Sequence, residues 1–190
     1  MENNDTYNKW ISEGYKYFAQ VGPLNFSVKK LSGIAKLSRT SFNYYFDNKD
    51  FFFDRLIKHH LLVVAKFGEE AIKNKENTLK GISETMEKHK TGMLFHIQLS
   101  NNRNIEKFHD AFYQGHKANL CSGILDWFIK YFNLKTSREN EKRIFLLFID
   151  ILNTRFSQSL QDTNKMTSFS SVFIDVINDF KLLLESYSKE

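Results

Sequence analysis

The chain has 190 residues, 42% of them hydrophobic and 15% aromatic, with 19 Phe, 8 Gly and a single proline, Pro23. That composition excludes a disordered chain and supplies enough apolar mass for a core in one large domain or two small ones. A net charge of +5 spread over the whole chain names no partner, and the lone Cys121 excludes an intrachain disulfide and a cysteine zinc cluster.

So few turn residues among so many Lys, Leu, Phe, Ile and Glu predict an all-α protein. Trp10, Ile11, Tyr15, Phe18 and Ala19 recur at helical spacing, and this first helix stops at Gly22-Pro23. Ser27 stands where an N-cap belongs, before Val28, Leu31, Ile34 and Ala35 on the apolar face of a short second helix. Ser38 caps a third, from about Arg39 to Phe46. Asp47 and Asp50 resemble a capping box that opens a long fourth helix, through about Lys73. Further helices are expected at about Asn77–Lys90, Gly92–Ser100, Ile105–Phe132, Ser137–Leu160 and Ser168–Tyr187, with Thr136 and Glu139 as a capping box and "NLKTSREN" and "QDTNKMTS" as linkers. The start "MENNDTYNKW" has no secretory pattern. The longest apolar stretch, Ile144–Leu152, is about half a membrane span and is interrupted by Asp150. A soluble, cytoplasmic protein without a membrane partner is expected.

The segment "LSRTSFNYYFDNKDFFF" changes character at Asp47. At 100° per residue, Phe42 and Phe46 share one face of the third helix, with Arg39 at its edge. Thr40 and Tyr44 point the opposite way, flanked by Ser41 and Asn43. Between Ser27 and Phe46 lie Lys29, Lys30, Lys36 and Arg39 and no acid. Hydroxyl, amide and phenol groups on a short helix in a basic window suit phosphates and base edges, because an acid there would meet the phosphate field. The same tyrosines could equally be half-buried structural residues.

The stretch Ser27–Ile57, "SVKKLSGIAKLSRTSFNYYFDNKDFFFDRLI", resembles the helix-turn-helix signature of the TetR family of transcriptional regulators. With Trp10, Phe18 and Gly22 before it, the match covers about a quarter of the chain. The resemblance implies a DNA-binding domain over residues 1–50 and a helical effector-binding and dimerisation domain over 51–190. It implies that Ser27 caps the second helix and touches a phosphate, that Arg39, Thr40, Ser41 and Asn43 face the bases, that Tyr44 and Tyr45 bond phosphates, and that Lys49 meets the backbone. Lys36 stands where the family often has the turn glycine. Thr40 replaces a frequent small residue, and Asn43 and Tyr45 replace frequent Tyr and His, which implies an unusual operator.

TetR-like proteins are homodimers joined through their last two helices, which implies an interface including Phe148, Ile151, Phe173 and Ile177. The middle helices of the family enclose a small-molecule effector, here among Phe95, His96, Phe112, Tyr113, His116, Trp127 and Phe128. The reading is therefore a ligand-responsive repressor acting on double-stranded DNA. The alternative is a helical interaction module whose head does not read DNA. His109 and His116 lie two helical turns apart without a third ligand, and no phosphate loop, HExxH or nucleophile elbow is present, so no metal, cofactor or enzymatic activity is expected.

Overall fold

Helix α1 (Glu2–Val21) buries Trp10, Phe18 and Ala19 on one stripe and ends where Gly22 turns to φ 68°. A β-carbon on Gly22 would be strained by that φ and would also meet Gln98 Oε1. The computed structural model describes residues 2–73, 79–121, 123–161 and 168–187. Among these it is all-helical, with ten helices and no strand.

Helices α2 (Val28–Ala35) and α3 (Arg39–Tyr45) are short and capped by serine. Ser27 Oγ accepts from the Lys30 N–H at 3.3 Å, and Ser38 Oγ from the Ser41 N–H at 3.1 Å. Between them Lys36 takes φ 50°, ψ 45°, and Leu37 N–H reaches back to the Ser32 carbonyl at 3.1 Å. A left-handed lysine at a helix end costs about 1 kcal/mol relative to glycine.

Helix α4 (Lys49–Lys73) opens differently from the expected capping box. Asn48, not Asp47, accepts the Phe51 N–H, at 2.8 Å. The helix begins one residue later than an Asp47 cap requires, which leaves Asp50 in its first turn beside the positive end of the dipole. The three phenylalanines that follow divide by angle. Phe52 packs on Phe42 (5.1 Å between centroids) and Phe46 (4.6 Å), Phe53 packs on Phe18 (5.2 Å), and Phe51 stays partly exposed under the Arg55 guanidinium. A β-carbon on Gly14 would overlap the Phe52 ring, so α1 and α4 meet where α1 has no side chain.

The chain divides into two compact units, Met1–Val64 with Thr91–Gln114, and Ala65–Lys90 with Gly115–Glu190. The division falls within α4, α6 (Lys90–Asn101) and α7 (Glu106–Cys121). The first unit has an aromatic core of Trp10, Phe18, Phe42, Phe46, Phe52, Phe95, Phe108 and Phe112. In the second, α10 (Phe169–Tyr187) packs against α5 (Leu79–Lys88) and α9 (Arg138–Gln161), and α8 (Ile124–Phe132) against α9. Phe128, Phe148, Phe173 and Phe180 fill its interior.

Two expectations change here. The single helix Ile105–Phe132 is two, because Gly123 turns to φ 85° ahead of α8. Apolar periodicity continues across that break and hides it. Ser137, rather than Thr136, accepts the backbone N–H that opens α9, from Asn140 at 3.4 Å. The helix start expected at Asn77, and most of the "QDTNKMTS" linker, lie outside the described residues.

Candidate nucleic-acid interface

The two caps and the Lys36 turn fix α2 and α3 as a pair, and Phe42 and Phe46, 2% and 1% exposed, fasten α3 to the core. That choice of buried stripe decides what faces outward. Arg39, Thr40 and Asn43 are exposed, and Tyr44 is 71% exposed. Lys29, Lys30 and Lys36 are exposed on α2 and its exit. Ser27 is partly exposed, with its hydroxyl on the Lys30 N–H.

Two of the expected base or phosphate contacts have structural duties instead of open faces. The Ser41 hydroxyl accepts the Trp10 indole N–H at 3.2 Å and donates to the Ser38 carbonyl at 2.8 Å, which turns it toward α1. Tyr45 is half-buried and stands edge-on to Tyr7 at 5.9 Å and to Tyr44 at 4.9 Å. Lys49 is exposed in the first turn of α4, and its ammonium lies 5.6 Å from the Phe53 ring centroid.

The first turn of α4 has a brace that the sequence did not single out. Lys107 Nζ on α7 donates to the Asp50 carbonyl at 3.1 Å and pairs with the carboxylates of Asp50 (2.6 Å) and Asp54 (2.9 Å). A lysine among the mixed charges of "NIEKFHD" carries no local signal of a partner 57 residues away.

The residues expected around an effector divide between the units. Phe95, His96, Phe112 and Tyr113 belong to the first. Phe95 and Phe112 are core, 0% and 1% exposed, with Phe112 stacked on His96 at 4.8 Å, while Tyr113 is 50% exposed. His116, Trp127 and Phe128 belong to the second, where Phe128 packs on Phe145 and Phe148 and Trp127 stacks on Tyr131.

Of the residues expected at a two-fold interface, Phe148, Phe173 and Ile177 are 2%, 2% and 0% exposed, closed inside their own unit. Ile151 is partly open and borders a surface depression of about 390 Å³ along α9, with Asp150, Thr154, Arg155 and Gln158. Arg155 reaches Asp179 of α10 at 3.3 Å. Leu147 on α9 and Leu183 on α10 are exposed, at 55% and 47%.

Among the described residues no group of three or more His, Cys, Asp or Glu could hold a metal ion, and no helix is long and apolar enough to cross a membrane. No family model matches the chain, and no curated protein matches it significantly.

Proposed function

We propose that this chain is a TetR-like transcriptional regulator, a ligand-responsive repressor that binds operator DNA as a homodimer. One observation carries the reading. A seven-residue helix, capped by Ser38 and fastened by Phe42, turns Arg39, Thr40, Asn43 and Tyr44 outward in a window with four cations and no acid. Such a face offers donors and acceptors to base edges and phosphates and repels neither. Lys29, Lys30, Lys36 and Lys49 supply sequence-independent attraction, and Asn43 is the side chain suited to a bidentate contact with adenine.

The dimer would form on the outer α9–α10 face, through Leu147, Ile151 and Leu183, and the effector would act between the middle helices. A small change in the separation of the two heads would then release DNA, because half-sites repeat at multiples of one helical turn. The second reading, a helical interaction module that does not read DNA, is favoured by the inward duty of Ser41 and by the Lys49 ammonium over Phe53.

Selection from a random duplex pool separates the two. A reader of DNA returns a two-fold symmetric site whose half-sites lie about one helical turn apart or a multiple of it. A module with a silent head returns no enriched sequence.

A further inference from the structure

One ammonium from another helix holds both acids in the first turns of α4. Lys107 Nζ, on α7, lies 2.6 Å from an Asp50 carboxylate oxygen and 2.9 Å from one of Asp54, and it donates to the Asp50 carbonyl at 3.1 Å. Its side chain is 25% exposed, while those of Asp50 and Asp54 are 74% and 54% exposed. Burial works against the charge, but the bonds to Asp50 and Asp54 outweigh it and raise the lysine's pKa, so the ammonium stays charged. Among the described residues neither carboxylate has a second cation. Arg55, next to Asp54 in sequence, stands instead over the Phe51 ring at 4.5 Å.

The core, rather than these ion pairs, sets where Lys107 sits. Phe108, the next residue, is 1% exposed and meets Phe53 at 6.0 Å and Phe18 at 5.8 Å. The start of α7 is therefore fixed against α4 whether or not Lys107 is charged. Ion pairs on exposed carboxylates add little to stability. What this one fixes is where two negative charges point.

At 100° per residue, Lys49 and Phe53 share one stripe of α4, and Asp50 and Asp54 share the next, about 100° around. The Lys49 ammonium follows its own stripe, 5.6 Å from the Phe53 centroid. Asp50 adjoins Lys49, and Asp54 is about 7.5 Å further along the axis at 1.5 Å per residue. Charge on either acid is thus felt at Lys49, within about one Debye length, about 10 Å at 0.1 M salt. Unpaired, each carboxylate would repel a phosphate seated on Lys49 or compete with it for the ammonium.

We propose that Lys107 is a positioning residue for nucleic-acid binding, which neutralises Asp50 and Asp54 and holds both carboxylates toward α7, so that Lys49 can accept a phosphate. The inference rests on the reading of the head as DNA-binding, and adds to it a residue that does not itself touch DNA.

The test is binding of the full chain to a duplex of about 30 base pairs of arbitrary sequence, by fluorescence anisotropy from about 0.05 to about 0.2 M salt, because attraction to phosphate needs no operator. Thermal denaturation accompanies each variant. Lys107→Gln should stay folded and bind about five- to tenfold more weakly at the lowest salt. Its salt slope should match the wild type within about half a unit, since no phosphate contact is lost. Lys107→Arg keeps the charge and should bind like the wild type. The triple variant Lys107→Gln, Asp50→Asn, Asp54→Asn should regain at least wild-type affinity, although its ion pairs are gone. If Lys107 only braced α4, removing the acids would restore nothing. Lys88→Gln takes the same charge from a 2.8 Å pair with Glu70 in the second unit and should bind like the wild type. An unfolded Lys107→Gln, or one that binds within about twofold of the wild type, overturns the proposal. So does a slope lower by about one unit, which would make Lys107 a direct phosphate contact. A triple variant as weak as Lys107→Gln, or an equal loss in Lys88→Gln, overturns it too. A wild type without salt-dependent binding overturns the DNA reading itself, and the proposal with it.

Discussion

Trp10 donates its indole N–H to the Ser41 hydroxyl at 3.2 Å, and this bond ties the first helix to the helix that carries the outward polar face. Trp10 is fully buried and packs edge-on against Phe42 at 5.2 Å, so indole and bond together set the roll of α3. Ser41→Ala should leave the indole N–H buried without that partner and lower stability by about 1–3 kcal/mol in chemical denaturation. A change within about 0.5 kcal/mol, the range of ordinary surface substitutions, would show the bond to be incidental.

Asn43 is exposed on α3 and lies 100° from the buried Phe42. In the proposed reading it contacts a base. Asn43→Ala should then cost about 1–3 kcal/mol on the preferred operator and relax one position per half-site. Affinity for unrelated DNA should hardly move, since no charge is lost. Identical operator preferences for wild type and variant would remove Asn43 from the reading face.

Lys49 sits at the start of α4, next to the Lys107 brace on Asp50 and Asp54. As a phosphate contact, its replacement by alanine should weaken binding to all sequences alike and flatten the salt slope by about one unit. The discriminating observation is the slope. A change in sequence preference at constant slope would mean that Lys49 acts from its place over Phe53 and not on phosphate.

The proposed dimer face and the interior of the second unit can be separated by substitution. Leu147→Asp changes an exposed residue, so the isolated chain should lose little stability while self-association weakens. Phe148→Ala empties an interior site and should cost about 3–5 kcal/mol whether or not the chain associates. Sedimentation should show a dimer for the wild type, consistent with an interface burying more than roughly 1,000 Å² in total. A wild-type monomer at micromolar concentration would count against the dimer.

His60 sets a pH dependence with a definite sign. Its folded-state pKa, about 3, lies below the unfolded value of about 6.5. The stability tied to neutral His60 is therefore fully present above about pH 6.5 and is lost as pH falls toward about 3. The loss reaches about 1.4 kcal/mol per pH unit, or about 2 kcal/mol by pH 5. Denaturation midpoints of His60→Gln should lack this component between about pH 6.5 and 5. An equal slope in both proteins would place the acid sensitivity elsewhere.

What could be read in advance was local. Ser27 and Ser38 stand immediately before apolar periodic runs, so their caps were legible, as was the buried stripe of Phe42 and Phe46. The Gly123 break was not, because apolar spacing runs through it. Nor could the stripes of α9 and α10 show which residues face inward; Phe148 and Ile151 lie within one helical turn and differ in exposure. The bonds Trp10–Ser41 and Tyr15–His60 join residues 31 and 45 apart, and nothing in either local sequence names its partner. His59-His60 read simply as adjacent histidines until α1 and α6 closed around the second.

The most direct test of a DNA-reading α3 is a mobility shift on the DNA upstream of this chain's own reading frame, titrated with salt in the presence of excess unrelated duplex. A head that reads DNA gives a shift that survives the competitor, with log affinity falling linearly in log salt at a slope of about 4 or steeper. Arg39→Ala should reduce both the slope and the preference for the upstream fragment. No shift at low salt, or a shift that unrelated duplex abolishes equally for wild type and Arg39→Ala, would contradict the proposed function and leave the helical interaction module.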